Sequence, residues 1–370
     1  MFETFSHSRV LSWLRVNVGR KRRLFVLGSV MMLSAGLASA EQKPDLKNLV
    51  AGRLDVTATR IENFSRIGGA AAHFGNLEWR GGLQLSSAHP NFGGWSGLSL
   101  EADGRHFIAV SDGGAWMTGE MSYDGAKLSG LKNTRMGPLL TTEGQPLKRN
   151  RDRDAEAVAF VSGDTSKGSL LVSFEQNARI ARYDFSDDGV SPARGFLALP
   201  SESRKMRRNN GLEAMTVLKG GPYKGSVIAM SERLLDSARN HTGWIWIGGK
   251  AQRFNLTNIG DFDVTDVASL DDGSIVVLER RFRWLEGVRM RLRQIPAGAL
   301  KAGATLAGEV LLEANLEQEI DNMEGLAVSR GRGGETLLTL ISDNNFNTVL
   351  QRTIVLQFAL AEPKTAKARP

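Results

Sequence analysis

The sequence predicts an all-β protein, a β-propeller, and three features of a repeated phrase support this fold class. The phrase recurs five times, at intervals of 52 to 60 residues. Each copy opens on a strand rich in small residues, passes through a turn, and ends a second, apolar strand on a carboxylate. A β-repeat of this period is typical of a radial array of blades. The five copies span 95–112, 155–175, 212–232, 264–279 and 323–343.

Further strand-like runs between the copies complete the predicted blades. Apolar and polar residues alternate in runs such as 178–185 and 193–200, and Gly, Asp and Ser turns separate them, which indicates antiparallel strands. Two such runs follow each middle copy, which makes four strands per blade. Only 352–360 follows the last copy, and 76–85 is available to pair with it. We therefore predict five four-stranded blades closed by an N-terminal strand, with a sixth, irregular blade that uses 54–64 as the alternative.

The first 40 residues differ from the rest and are expected to be an export signal peptide. The basic stretch RKRR at 20–23 precedes an apolar run at 24–37 and the small residues ASA at 38–40. This is the order of a signal peptide with its cleavage site. The twin arginine fits the Tat route, and the Sec route is the alternative. We expect a periplasmic protein with no stable membrane insertion once the signal is removed.

The net charge of the chain comes largely from that N-terminal segment. The whole chain carries +7, whereas residues 41–370 contain 41 basic and 39 acidic residues, a net charge of +2. We therefore predict no nucleic-acid partner. The absence of Cys excludes disulfides and thiol chemistry. We expect one propeller domain over 41–360, followed by a disordered Pro/Ala/Lys-rich tail at 361–370. We expect the protein to be a monomer.

The recurring acids form the candidate site. In an up-and-down blade the start of the first strand and the end of the second lie on the same face, so these acids should meet at one mouth of the ring. Clustered carboxylate oxygens suit a divalent cation, and Ca²⁺ is the expected one. An acid of this kind can instead cap a turn or pair with an Arg of the next blade. The predicted metal ligands are Glu156, Glu175, Glu213, Glu232, Glu324 and Asp343.

Two basic loops open on the same predicted face. They read KRNRDR at 148–153 and RKMRR at 204–208. Arginine binds phosphate or carboxylate groups through two hydrogen bonds, so the loops predict a small anionic substrate, although they can also be solvated surface only. No catalytic residue is assigned. The predicted substrate-binding residues are Arg151, Arg153, Arg207 and Arg208.

Other site chemistries fit the sequence poorly. The five His residues are scattered without the spacing of a zinc site. The stretch GWSGL at 94–98 lacks the second Gly of a nucleophile elbow, which leaves Ser96 a poor nucleophile. The Gly-rich stretches carry neither a P-loop nor a dinucleotide-binding fingerprint.

Several phrases of the chain resemble the exported bacterial family named for the esterase-like activity of phytase. They are RDAEAVAF, LLVSFEQNARI, NNGLEAM, DFDVTDVASLDDGSIVVLERRF, NMEGLAV and LISDNNFNTVLQRTIVLQFAL. The resemblance spans roughly 55–360 and implies a phytase-like β-propeller domain, a periplasmic location and a hydrolase activity. This chain departs from its own repeat at Ser96 and Thr265, where other copies have Glu.

Three functions follow from these observations. The first is a phosphoester hydrolase, in which cations held by the acids polarise a phosphate and activate water. The second is a carboxylic ester or lactone hydrolase with a single cation in the same mouth. The third is a non-catalytic propeller that binds a ligand or a protein on this face.

Overall fold

The computed structural model of the protein describes residues 44–206 and 211–361. The predicted export signal, Arg207 and Arg208, and the tail beyond the last described residue lie outside these ranges. All described residues belong to one compact unit, Glu41–Pro370. None of the helices within the described ranges is long and apolar enough to cross a membrane.

The regular secondary structure of the described residues is almost entirely β-strand, with three helices of three to five residues. The helices are α1 (Asn150–Arg153) and the 3-10 turns Ser201–Lys205 and Ala297–Ala299. The strands of the first half are β1 (Gly52–Arg53), β2 (Thr57–Ile61), β3 (His73–Phe74), β4 (Leu77–Ser86), β5 (Trp95–Leu100), β6 (His106–Ser111), β7 (Ala115–Asp124), β8 (Lys127–Pro138), β9 (Ala155–Gly163), β10 (Lys167–Phe174), β11 (Arg179–Ser186), β12 (Gly189–Val190) and β13 (Gly195–Leu197). Those of the second half are β14 (Leu212–Val217), β15 (Val227–Leu235), β16 (His241–Ile247), β17 (Lys250–Leu256), β18 (Asp263–Ser269), β19 (Ile275–Arg283), β20 (Gly287–Ile295), β21 (Thr305–Leu306), β22 (Glu309–Ala314), β23 (Met323–Arg330), β24 (Thr336–Ser342) and β25 (Thr353–Leu360).

These strands form five sheets, one for each copy of the sequence repeat. The orders are β1-β8-β7-β6-β5, then β12-β11-β10-β9 with β13 beside β11, then β14-β15-β16-β17-β21, then β18-β19-β20-β22, and finally β2-β4-β25-β24-β23 with β3 beside β4. The strands β5, β9, β14, β18 and β23 contact one another in a closed cycle, so they are the inner strands of the five sheets. The predicted five-blade arrangement is confirmed.

The N-terminal and C-terminal strands belong to the same sheet. Strand β4 pairs antiparallel with β25 along its length, from Thr353 opposite Leu85 to Leu360 opposite Leu77. Strand β2 pairs with the other edge of β4. The predicted sixth blade is therefore wrong, because the segment assigned to it supplies the outer strand of the fifth sheet. The sheets have between four and six strands, since short segments such as β1 and β21 extend some of them.

The core lies between neighbouring sheets, and one aromatic group packs around the N-terminal strand. The rings of Phe64 and Trp79 stack at 5.4 Å, and Trp79 lies 5.1 Å from Phe358 on β25. The indole N–H of Trp79 donates to the carbonyl of Glu62 at 2.9 Å, so this buried polar group has a partner. Each aromatic buries about 150–250 Å². These contacts stabilise the pairing of β4 with β25.

Candidate functional site

Each of the five inner strands has a β-bulge at the same repeat position. In β14, for example, Leu212 lies opposite Ser231 and Ala214 opposite Met230, which leaves Glu213 as the extra residue. A bulge bends its strand and redirects the side chain of the extra residue. The bulges therefore direct one side chain of every blade at the same level of the ring. The extra residues are Ser96, Glu156, Glu213, Thr265 and Glu324.

Small residues after the bulges let the inner strands converge. A Cβ on Gly97 would lie 2.8 Å from the Cα of Ala157 on the next blade, closer than real Cβ contacts. A Cβ on Gly325 would lie 3.1 Å from the backbone N of Leu98. The glycines thus permit backbone approach that any larger residue would prevent. This approach brings acids from different blades to a common centre.

Five carboxylates meet at that centre, and we call them the acidic cluster. They form two groups of three, each residue offering one oxygen within 4.8 Å of the others, and Glu175 belongs to both groups. The side chains come from the starts of β9 and β14, from the residue after β10, and from the second half of β15. The acidic cluster consists of Asp154, Glu156, Glu175, Glu213 and Glu232.

Burial and mutual repulsion keep the acidic cluster partly protonated. Burial raises the pKa of Glu175 and of Glu232 to about 7. Burial, followed by the charges of neighbouring carboxylates, raises the pKa of Glu156 and Glu213 well above 4.5. Protonated Glu213 donates a hydrogen bond to Glu175, which also accepts one from the backbone N–H of Gly211 at 3.2 Å. Like charges this close cannot all ionise without compensation.

The oxygens of the acidic cluster fit a divalent cation. Ca²⁺ takes oxygen ligands at about 2.3–2.6 Å, so ligands on opposite sides of one ion lie about 5 Å apart. Both groups of three satisfy that limit, since their oxygens lie within 4.8 Å of one another. The donors are all hard carboxylates, which suit Ca²⁺ or Mg²⁺ better than a transition metal. A bound cation would also compensate the negative charge of these carboxylates, which protons compensate in its absence.

Arg280 lies at the edge of the acidic cluster and holds the fifth-blade acid. Its guanidinium donates to Glu324 Oε1 at 2.8 Å and to the side-chain oxygen of Asn322, while the Asn322 amide donates to the same Glu324 oxygen at 2.8 Å. Another nitrogen of Arg280 lies 3.9 Å from Glu232 Oε1. Burial opposes the charge of Arg280, but Glu324 and Glu232 raise its pKa overall. Glu324 thus forms an ion pair with Arg280 and belongs to neither group of three carboxylates.

The fourth blade uses its acids structurally. Thr265 replaces the bulge acid and its hydroxyl donates to the carbonyl of Met323 at 3.3 Å. The second-strand acid, Glu279, is fully buried and accepts from Arg293 at 2.5 Å within its own sheet. Asp266 accepts from the backbone N–H of Leu326 at 2.7 Å, on the next inner strand. Thr265 and Asp266 thus connect blades four and five, Glu279 is paired within blade four, and the grouped carboxylates belong to blades two and three.

The structure brings together four of the six predicted metal ligands. Glu156, Glu175, Glu213 and Glu232 lie in the acidic cluster. Glu324 is paired as described above. The remaining acid, Asp343, is outside both groups of three and accepts from the backbone N–H of Asn345 at 2.7 Å, within its own turn.

The predicted substrate-binding arginines differ in their surroundings. Arg153 is buried and donates to the carbonyls of Pro44, Leu147 and Lys148 at 2.7–3.0 Å, so its guanidinium anchors a loop. Arg151 lies on the short helix α1 and is exposed. The other two predicted arginines fall in the gap between the described ranges.

The site residues predicted from the sequence include neither Asp154 nor Arg280, although the sequence places Arg280 directly after a recurring acid. Asp154 precedes the bulge residue Glu156 by two residues, so the sequence DRDAE at 152–156 already shows a second acid close to it. Arg280 directly follows the second-strand acid of blade four, and only the blade-to-blade geometry places it between Glu232 and Glu324.

Without cations, the protein is expected to lose stability as the pH rises from about 5 to 8. The folded pKa of Glu175 and Glu232 is about 7, whereas the usual value is 4.5. Between these values the folded state binds more protons than the unfolded state, so the free energy of unfolding falls with pH, by about 3 kcal/mol for one such group. Thermal melts in a chelating buffer measure this. Glu175→Gln should flatten the profile, and a Tm that rises with pH in the unaltered protein would contradict the assignment.

Comparisons with known proteins give one family and a distant fold likeness. A family model described as phytase-like, with the esterase-like activity of phytase, matches residues 90–346. A search of curated proteins finds no match. Among solved structures, an endo-arabinase from Bacteroides thetaiotaomicron VPI-5482 is similar at 11% identity and a TM-score of 0.45, over 75% of this chain and 96% of that one. No argument about activity follows from that likeness.

Proposed function

Because the chain belongs to the phytase-like family, described by the esterase-like activity of phytase, we propose that it is a cation-assisted hydrolase of a small anionic phosphoester. Family membership confirms the resemblance in the sequence and indicates a hydrolase-type function. The phosphoester substrate, the cation and a periplasmic site of action are the further parts of the proposal. The protein acts as a monomer in this account.

The acidic cluster carries the proposal. Glu175 is 8% exposed and Glu232 is 7% exposed, and their oxygens lie within 4.8 Å of a third acid, Glu213. Grouping three carboxylates, two of them buried, is costly unless protons or a cation compensate them. A site that only joined blades would instead pair its acids closely with Arg, as Glu324 is paired with Arg280 at 2.8 Å, whereas the arginines beside Glu232 lie at 3.9 Å. The contrast between blades supports cation binding.

The residues divide the chemical roles between them. Asp154, Glu156 and Glu175 would hold the cation, which when bound polarises a phosphoryl oxygen and lowers the pKa of a bound water. Burial and the neighbouring carboxylates raise the pKa of Glu213 well above its usual value, which favours the protonated form and suits Glu213 to donate a proton. Arg280, kept charged by Glu324, offers donors to an anionic group at the edge of the cluster.

We further propose that the five sheets form a closed ring, which holds the acids of the cluster in place. We take the repeated unit to be a four-stranded meander, with the additional short strands as extensions. The pairing of β4 with β25 completes the fifth meander from the two ends of the chain. Closure of this kind removes the free edges that a linear array of sheets would expose.

Activity is expected on a phosphomonoester, and it should depend on a divalent cation. p-Nitrophenyl phosphate should be hydrolysed with Ca²⁺ or Mg²⁺, not with EDTA, and Glu213→Gln should lower kcat by about 100-fold if its proton transfer is lost. Glu313→Gln, which alters a partly exposed acid on β22 paired with Arg291, is the matched control and should keep full activity. Hydrolysis of p-nitrophenyl acetate alone would favour the carboxylic ester function. Cation binding without hydrolysis of either ester would favour a binding protein.

A further inference from the structure

A groove with a volume of about 600 Å³ lies beside the acidic cluster. Residues of the fourth sheet and of the loops that lead into and through the fifth sheet line it. Arg280 and Asn322, which hold Glu324, belong to both the groove and the edge of the cluster. The groove therefore adjoins the proposed reaction site at Arg280 and Asn322. Its apolar lining residues are Phe282, Val288, Leu316, Ile320 and Leu350.

The register of the fourth sheet determines where the polar and the apolar parts of the groove lie. Phe282 follows Arg280 by two residues on β19, so both side chains lie on the same face, about 7 Å apart along the strand. Phe282 lies opposite Val288 on β20, which places these two apolar side chains next to each other. A ligand with its anionic group at Arg280 would have its substituent against Phe282 and Val288.

Other charges in the groove are already compensated. Arg66 and Arg352 both bind Glu319 Oε2, at 3.1 and 2.9 Å. Arg352 also lies 3.6 Å from Asp321. These pairs make the far part of the groove nearly neutral, so it does not favour a substituent that carries several further negative charges.

The apolar part of the groove exposes large side chains to solvent. Phe282 is 66% exposed and Leu350 is 80% exposed. The turn that follows Phe282 carries Trp284 and Leu285, which are 83% and 93% exposed. Neighbouring exposed apolar residues of this size mark a surface that is used for binding. The same residues would be covered by an apolar ligand group.

We propose that this groove binds the apolar substituent of the substrate, which makes the substrate class an alkyl or aryl monoester of phosphate. The hydrolytic part rests on the proposed function. Water adds to phosphorus, the P–O bond to the substituent breaks, and the released alcohol takes up a proton. The alcohol is the part of the substrate that the groove holds. A polyol that carries several phosphates is a poor fit.

Binding of two phosphonates tests the groove without any need for turnover. n-Hexylphosphonate and methylphosphonate carry the same anionic group and are not hydrolysed. Calorimetry with saturating Ca²⁺ should give a Kd for the hexyl compound at least tenfold lower, since each buried methylene favours the apolar site. Phe282→Ser together with Leu350→Ser should remove most of that difference. Phe196→Ser, at a phenylalanine that is 59% exposed on the second sheet, is the matched control and should keep it.

The outcomes separate this inference from the proposed hydrolase function. Equal affinities for the two phosphonates, no binding of either, or the same result for the groove variant and the Phe196 control would overturn the inference. Cation-dependent turnover of phosphoesters would still stand in those cases. Conversely, a chain-length preference that the groove variant abolishes would support the groove even if no ester were hydrolysed.

Discussion

Replacement of Asp266 by alanine is expected to lower the free energy of unfolding by about 3 to 6 kcal/mol. Asp266 is 2% exposed and accepts backbone N–H groups from three inner strands. Leu326 on β23 donates at 2.7 Å, Val267 on β18 at 2.8 Å, and Met215 on β14 donates as well. Alanine would leave these buried donors unsatisfied, and each one costs about 1–3 kcal/mol.

Thermal melting measures this loss. A protein of this size should show a Tm about 10 °C lower for Asp266→Ala. Asp266→Asn should fall between alanine and the unaltered protein, because its amide keeps one acceptor oxygen but presents N–H groups to the other donors. The control is Asp271→Ala, since Asp271 forms an exposed pair with Arg330 at 2.7 Å and its replacement should change little. An unchanged Tm for Asp266→Ala would mean that these strands are joined by other contacts.

The fold could be predicted well because its signal is repeated. Five copies of one phrase gave five sheets, and the strand predicted at 76–85 lies within one residue of β4. The alternative of a sixth, irregular blade that uses 54–64 is wrong. A single strand cannot bury both of its faces by itself. Strand β2 instead pairs with β4 at the outer edge of the fifth sheet.

The site could be predicted only in part, because bulges and blade contacts are not visible in the alternation of residues. The inner strands are buried on both faces, so an extra residue such as Glu213 changes no apolar–polar pattern. The repeat also made all acids look equivalent. Whether an acid joins the cluster, as Glu175 does, or pairs with an arginine, as Glu279 and Glu324 do, depends on which basic side chain the neighbouring strand supplies.

Loss of cation binding is the largest effect expected at the acidic cluster, and Glu175 is the residue on which it depends most. Glu175 belongs to both groups of three carboxylates, so Glu175→Gln removes a charged ligand from each. In the second group, a neutral amide would then stand beside the carboxylates of Glu213 and Glu232. The cation should also stabilise the unaltered protein by mass action, by about 2.7 kcal/mol at a concentration 100 times its Kd.

Calorimetric titration of chelator-treated protein with Ca²⁺ at pH 7 tests the central claim most directly. We expect saturable binding to the unaltered protein, with protons released because the ion displaces them from its own ligands Glu156 and Glu175, whose pKa is raised. Binding should be at least tenfold weaker in Glu175→Gln and unchanged in Glu313→Gln. If neither Ca²⁺ nor Mg²⁺ binds the unaltered protein, or if Glu175→Gln binds the ion equally well, the acidic cluster is not a cation site.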